Sequence, residues 1–389
     1  MRVVTSCFTR FHIVEQARQL QRLNMLCSLI TGVPSRMLSN SGLDRKRIDS
    51  IPSMLMLSYA LRKAQYLLPP RMMSRLQRAT HDVFSAQVAR RLPACDVFIG
   101  LSAYSYDAIL EAKARGVRTI IDHGSLHEKT DKEVVLEEQN TLGIKLCGNS
   151  NYEWLIEKED REFEVADNVI VLSNVAKRSM VRHGVDAEKI FVNSCGVRLD
   201  RFSPKGKKDS IFRIIHCSNL SGRKGIYYLV RAFRELQIRD AELWLIGSLS
   251  AMQSDRRYAE LISGYCTKQV VFKGEFKQDQ LADIFSQGSV FVMPSLSDGF
   301  GMVVTQAMAC GLPVIVSSMT GAADLITEGS NGFVFPSRNI DVLKEKLLFL
   351  YRNRDVCREM GEGARLTVAT AHTWDHYGNR LGAFLNEIN

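Results

Sequence analysis

Long hydrophobic runs are missing from this sequence. Its β-rich apolar stretches, such as Val290 to Pro294 and Val314 to Val316, fall far short of the roughly 18 to 20 residues that a membrane-spanning helix requires. No segment is therefore expected to cross a bilayer. The opening stretch, Met1 to Phe11, lacks an apolar core of signal-peptide length and reads as a short strand, so a cytoplasmic protein is expected. Paired cysteines are missing too. The nine cysteines stand singly, without a Cys-x-x-Cys, which excludes a disulfide scaffold and points to reduced, buried thiols. Glycine-rich phosphate fingerprints are equally scarce. In the turn at Gly299 and Gly301, Val304 stands where a Gly-x-Gly-x-x-Gly pattern needs its third glycine, and neither a P-loop nor a Gly-x-Ser-x-Gly elbow occurs. Nicotinamide dehydrogenase, NTPase and α/β-hydrolase readings are left without support. Glycine and proline, at 26 and 9 residues, also exclude collagen-like and disordered chains.

What is present suits two globular domains. The chain has 389 residues, of which 46% are hydrophobic and 24% charged, and domains average on the order of 150 residues. The net charge of +9 is unevenly placed: residues 1 to 120 hold 18 Lys and Arg against 7 Asp and Glu, while the remainder holds 33 against 35. Such asymmetry suits an anionic partner, with nucleic acid, an anionic membrane leaflet and a phosphorylated substrate as candidates. Short apolar runs alternate with helical patterns, which predicts parallel sheets built from βαβ units. Strands are expected near Arg2 to Cys7, Asp96 to Gly100, Val117 to Asp122, Asn168 to Leu172 and Lys189 to Asn193. A second series follows at Phe212 to Cys217, Glu242 to Ile246, Val270 to Lys273, Val290 to Met293 and Pro313 to Val316. The basic, polar stretch Ser203 to Ser210 has linker composition and separates them. Between the first two strands, Ser53 to Leu92 reads as helical, with Arg62, Lys63, Arg71, Arg75, Arg78, Arg90 and Arg91 among Leu, Tyr, Phe and Met. A basic amphipathic segment of this kind either lies on an anionic membrane or packs on a core with a solvated basic back.

Doubly wound sheets bind ligands beyond the carboxyl ends of their strands, so the loops that follow strands are the places to look for a site. In Ser218 to Gly225, Arg223 and Lys224 lie between Gly222 and Gly225 and can grip a diphosphate, Arg by its fork and Lys as a point charge; the alternative is a solvated basic turn. In Pro294 to Gly311, a strand ends, Gly299 and Gly301 open a turn and a helix begins. Amides at that helix start can receive a phosphate, and Asp298 and Gln306, eight positions apart, can offer oxygens to sugar hydroxyls or serve only as a cap and a surface residue. In Ile120 to His127, His123 is either a ligand contact or a hydrogen-bonded loop histidine. In Phe8 to His12, Arg10 and His12 are expected to point into a cleft between the domains. His123 with His127, and His372 with His376, have i, i+4 spacing, but no third ligand accompanies either pair and no metal site is expected.

Taken in order, five segments resemble the retaining glycosyltransferases known as family 4. They are Ala166 to Ser173, Val192 to Pro204, Arg223 to Leu229, Pro294 to Gly311 and Gly332 to Pro336. The resemblance implies the GT-B fold: α/β, with two Rossmann-like doubly wound domains facing across a cleft. Residues 1–204 would form the acceptor-binding domain, 205–372 the nucleotide-sugar-binding domain, and 373–389 a terminal helix crossing back to the first. It further implies transfer of a sugar from a nucleoside diphosphate to an acceptor hydroxyl with retention at the anomeric carbon. No metal and no cofactor would be required.

In that frame Arg223 and Lys224 hold the diphosphate, His123 or its neighbouring backbone lies near the reacting centre, and Asp298 contacts the donor sugar. Gly222, Gly299, Phe300, Gly301, Met302 and Gln306 line the donor site. Arg10 and His12 are the acceptor-side candidates. The acceptor would be a glycan or a lipid-linked molecule of cell-surface biosynthesis, with the basic first domain on the inner face of a membrane and no nucleic-acid partner. Departures are visible. Family members carry two glutamates where this chain has Asp298 and Gln306, a glycine-rich loop where it has Phe8 to His12, and Asn-Gly-Val-Asp where it has Cys195-Gly-Val-Arg198. The competing reading is a GT-B scaffold that binds a nucleotide or a partner enzyme without efficient transfer.

Overall fold

The computed structural model describes residues 1–64, 68–144, 152–249 and 256–388, the side chains at 62, 64, 70 and 152 excepted. Among the sequence expectations, Cys147 and the side chain of Arg62 lie outside the described residues. The other eight cysteines are unpaired; five are buried, and Cys27, Cys95 and Cys266 are half-buried.

Two parallel sheets carry the fold. The first contains β1 (Val3–Cys7), β2 (Leu26–Thr31), β3 (Ile48–Ser50), β4 (Val97–Leu101), β5 (Arg118–His123), β6 (Asn168–Val171) and β7 (Ile190–Val192), in the order β3-β2-β1-β4-β5-β6-β7. The second contains β8 (Phe212–Cys217), β9 (Ala241–Ile246), β10 (Val270–Gly274), β11 (Val290–Met293), β12 (Val314–Ser317) and β13 (Gly332–Phe335), in the order β10-β9-β8-β11-β12-β13. Strands such as β1, β4, β8 and β11 are buried along their whole length, as helices on both faces of a parallel sheet require.

Around the first sheet lie α1 (His12–Arg22), α2 (Pro52–Ala64), α3 (Pro70–Arg91), α4 (Tyr106–Ala114), α5 (Glu128–Leu142), α6 (Tyr152–Val165) and α7 (Asn174–Arg182). Around the second lie α8 (Ile226–Leu236), α9 (Arg256–Ser263), α10 (Leu281–Phe285), α11 (Met302–Ala309), α12 (Ile340–Arg352) and α13 (Arg354–Ala371). The last helix, α14 (Trp374–Ile388), returns to the first domain. Its Trp374, Tyr377, Leu381 and Leu385 join the core formed by Ile13, Val14, Ala17 and Leu20 of α1, and Phe384 stacks on Phe191 at 4.1 Å. Where the chain leaves the first domain it runs beside the segment that comes back, Val197 N–H donating to His372 O at 2.9 Å.

In each sheet the strand order reverses between two neighbours, β1 and β4 in the first and β8 and β11 in the second. Loops diverge at such a point and leave a crevice. The loops carrying Arg10 and His12, Arg223 and Lys224, and Asp298 to Gly301 therefore emerge at the two crevices and face each other.

Candidate active site

A short 3₁₀ turn, Gly222–Lys224, presents the cation pair between β8 and α8. It ends at Gly225, whose φ is +68°; a Cβ there would fall 2.0 Å from the Pro294 carbonyl oxygen. Glycine thus lets the turn lie directly against the end of β11. Lys224 Nζ donates to Asp298 Oδ2 at 2.5 Å, with both side chains only 14% exposed. Burial opposes the charge on Asp298, but the Lys224 ammonium, its hydrogen bond and the nearby Arg223 outweigh that penalty and hold the carboxyl below its ordinary value. Arg223 Nη1 donates to Asp131 Oδ2 at 3.0 Å and to the Ser297 carbonyl at 3.3 Å. The Ser297 hydroxyl also binds the Asp131 carboxylate. Asp131 belongs to α5 of the first domain, so the Arg223 contact ties the two domains together. Beneath the pair, burial pushes His216 down to about 4, and its neutral ring bridges Val292 O at 2.9 Å and Ser218 Oγ at 2.6 Å.

The turn at Gly299 forms a second tie. A Cβ on Gly299 would stand 2.3 Å from Gly124 O and 2.7 Å from Ser125 Cα, and its carbonyl accepts from Ser173 Oγ at 2.8 Å. Gly301, at φ +82°, opens α11. Phe300 is placed differently from its expected role in the donor site. Its ring is 1% exposed within the core of the first domain beside Leu172, and its amide donates to Asp298 Oδ1 at 3.4 Å. The side chain acts as packing across the domain boundary.

His123 is also internal. Its Nδ1 pairs with Ser102 Oγ at 2.9 Å and its Nε2 with Leu126 O at 3.1 Å, and burial lowers its pKa. A neutral ring with Nε2–H donating to the carbonyl and Nδ1 accepting from the serine satisfies both contacts. What β5 brings to the crevice is the backbone of Gly124 and Ser125. Next to it, burial and then the charge of Asp131 push Glu128 up to about 7; burial and then the charges of Glu128 and Glu162 raise Glu159 as well.

The remaining candidates line a cavity of about 270 Å³ between the domains. Arg10 and His12 face Met302 and Gln306 across it, with Arg198, Arg201 and Trp374 on its wall. His12 is 2% exposed, and its Nε2 pairs with Asp122 Oδ1 at 2.6 Å. The other Asp122 oxygen accepts from Gln16 at 2.6 Å, and Gln16 also meets Thr5 at 3.1 Å and Tyr377 at 2.9 Å. With Nε2 committed to the carboxylate, His12 Nδ1 is left without a hydrogen-bond partner among the described residues. Gln306, 7% exposed, has its Oε1 unpartnered likewise.

The expected site residues therefore fall into two adjoining groups. Arg223, Lys224 and Asp298 form a closed polar cluster with Gly222 and Gly299. Arg10, His12, Met302 and Gln306 form an open cavity. Sequence reasoning missed Asp131, Ser297, Asp122 and Gln16, and missed Arg198 and Arg201 as cavity residues. Asp122 adjoins His123 in a segment already singled out; Asp131 sits in the first turn of α5, where an acidic residue is ordinary and marks no site. Among the described residues no group of three or more His, Cys, Asp and Glu is arranged to hold a metal ion.

Comparison with known proteins bears on the fold and the family. Residues 198–367 match the family described as glycosyl transferases group 1. Among curated proteins, the D-inositol 3-phosphate glycosyltransferase of Streptomyces bingchenggensis is 28% identical over 57% of this chain and 51% of its own length. The chain spans about half the length of the first curated relatives it matches. Among solved structures, sucrose-phosphate synthase from Thermosynechococcus elongatus superposes with a TM-score of 0.72 at 19% identity, over 100% of this chain and 99% of that one. HepE from Anabaena, in complex with UDP and glucose, superposes with a TM-score of 0.69 at 15% identity, over 99% of each chain. The fold is GT-B, two Rossmann-like domains across a cleft, and the resemblance to group 1 glycosyltransferases is shown.

Proposed function

We propose that this chain transfers a sugar from a nucleoside diphosphate to an acceptor hydroxyl, with retention and without a metal or other cofactor. The observation that carries this reading is the Arg223 and Lys224 pair, held at the crevice of the second sheet against the turn that opens α11. A leaving diphosphate develops negative charge as the glycosidic bond breaks, and preorganised cations in a water-poor site stabilise charge at that moment. Lys224 is restrained by Asp298 before any ligand arrives. When a diphosphate takes the ammonium, an Asp298 oxygen is released to accept from a sugar hydroxyl. UDP is the first donor base to examine, since the HepE structure holds it. Retention rests on the family resemblance alone.

Incubation with UDP-, GDP- and ADP-hexoses, followed at the anomeric proton by NMR, tests the reading. One donor should be consumed slowly by transfer to water, and the first-formed sugar should keep the donor's configuration. An inverted first product removes the retaining assignment. Intact donors throughout favour the non-catalytic scaffold.

We place the acceptor at a cytoplasmic membrane face, as part of a surface glycan or glycolipid. No helix among the described residues is long and apolar enough to cross a membrane. The α2 and α3 pair, however, exposes Met56, Leu57, Tyr59, Met72 and Leu76 beside the exposed Lys63, Arg71 and Arg75. Apolar side chains among cations suit a shallow seat in an anionic leaflet. Cosedimentation with phosphatidylglycerol-containing liposomes is expected to fall as salt rises, and equal binding to neutral phosphatidylcholine vesicles would contradict the assignment.

A further inference from the structure

Helix α5 lies within the sequence of the first domain but packs on the second. Asp131, Val134, Val135, Glu138 and Leu142 stand at i, i+3, i+4, i+7 and i+11, the spacing of one helix face. Val134 is buried in the core built around α8, and Val135 and Leu142 pack against the same cluster. Among the described residues, none of α5 enters the cores of the first domain. Its ties to that domain are polar: Lys129 Nζ donates to Asp160 Oδ2 at 2.7 Å, Ser179 Oγ donates to Thr130 Oγ1 at 2.9 Å, and Arg182 pairs with Glu133 at 3.0 Å. At one end of the seam Asp131, 5% exposed, takes Arg223 on one oxygen and the Ser297 hydroxyl on the other. Two turns along, about 10 Å away, Glu138 Oε2 accepts from the Tyr228 hydroxyl at 2.9 Å and from Arg338 Nε at 3.0 Å. Arg338 follows β13 with φ at +68°, a conformation that is strained for a residue other than glycine and persists where the surroundings hold it. Each end of the seam is thus a carboxylate of α5 on an arginine of the second domain, with valines packed between.

We propose that α5 is a positioning element of the second domain's site, in which Asp131 holds the Arg223 guanidinium in place for the diphosphate while Glu138 and Arg338 fix the height of the helix. A cation on a long side chain stabilises developing charge best when it need not reorder at that moment. Asp131 supplies that order, because both of its oxygens are committed before any ligand arrives. The same contact works against binding. The carboxylate competes with a diphosphate for one guanidinium and repels it, so ground-state affinity is lowered while placement in the transition state is gained. The catalytic part of this role rests on the transferase reading, whereas the seating of α5 in the second domain stands on its own packing.

The test compares the full wild-type chain with Asp131→Asn, with a Tyr228→Phe, Glu138→Leu, Arg338→Met variant and with their combination. The distal variant removes its polar groups together, an exchange that need not cost stability, and melting without ligand checks that each protein folds. Affinity is read by calorimetric titration with UDP, GDP and ADP, and kcat from hydrolysis of the corresponding UDP-, GDP- or ADP-hexose. Asp131→Asn should bind the preferred nucleoside diphosphate about threefold more tightly while kcat falls about tenfold, a split that mere loss of structure does not produce. The distal variant should lower kcat about fivefold by itself and less than about 1.5-fold in the Asp131→Asn background, because both changes act through Arg223. An unchanged kcat in Asp131→Asn, or parallel losses of affinity and kcat, overturns the proposal. Additive losses in the combined protein overturn the part given to Glu138 and Arg338. Nucleotide binding by a wild-type chain that consumes no donor would sink the transferase reading instead; tighter binding by Asp131→Asn would then still uphold its hold on Arg223, and unchanged binding would end that too. No binding of any of the three nucleotides to the wild type overturns both.

Discussion

Lys224→Ala is expected to lower kcat/KM for the nucleotide sugar by about 10²- to 10³-fold, the scale of removing one preorganised group from developing negative charge. The same change should destabilise the fold by about 3 to 5 kcal/mol, because the Asp298 carboxyl would be left in a largely enclosed place without its cation and hydrogen-bond donor. These two effects can be separated. A Lys224→Met, Asp298→Leu variant removes both partners of the 2.5 Å pair and replaces them with apolar groups of similar bulk, an exchange that is commonly neutral or stabilising. Urea unfolding should show its stability near that of the wild type, while transfer stays lost. Recovered activity in the double variant would show that Lys224 serves the fold and not the leaving group.

Gly299→Ala should be nearly as costly to turnover by a different route. The added methyl would stand 2.3 Å from Gly124 O and 2.7 Å from Ser125 Cα, and both are backbone atoms that cannot rotate aside. The domains must separate, or the turn must shift and break the Ser173 to Gly299 hydrogen bond of 2.8 Å. Misplacement by about 1 Å at a reacting centre can cost about 10²-fold in rate, so kcat should fall on that scale. Helix and strand content by circular dichroism should be unchanged, since each domain keeps its own core. An unchanged kcat would show that this close approach of the domains is dispensable for transfer.

Legibility in the sequence followed the range of the interactions. The apolar runs of β8 and β11 gave those strands with their observed bounds, because burial of a strand is written locally. β2 follows α1 after only three residues and carries Cys27 and Ser28 in mid-strand, so no clean run marked it. β3 has three residues, Ile48, Asp49 and Ser50, all half-buried. β13 was visible only as part of a resembling motif. The loops after strands marked the site, since cations, glycines and a carboxylate there have a use that a plain turn does not.

Their partners were not legible. Asp131 meets Arg223 across 92 positions and between the domains, and Asp122 meets His12 across 110 within the first domain; pairings made over such separations leave no spacing to read. Nor did the resemblance decide between the ring of His123 and its neighbouring backbone. The hydrogen bonds to Ser102 and Leu126 commit the ring to the interior and leave the backbone at the crevice.

The most direct measurement is a thermal-shift titration of the wild-type chain and the Lys224→Met, Asp298→Leu variant with UDP, GDP and ADP. A ligand confined to the folded state stabilises it by about 2.7 kcal/mol at a hundredfold excess over Kd, which a melting curve resolves. Stabilisation of the wild type by one nucleoside diphosphate, absent in the equally stable variant, is the predicted result. No shift with any of the three, or an equal shift in the variant, would contradict a diphosphate site built on Lys224.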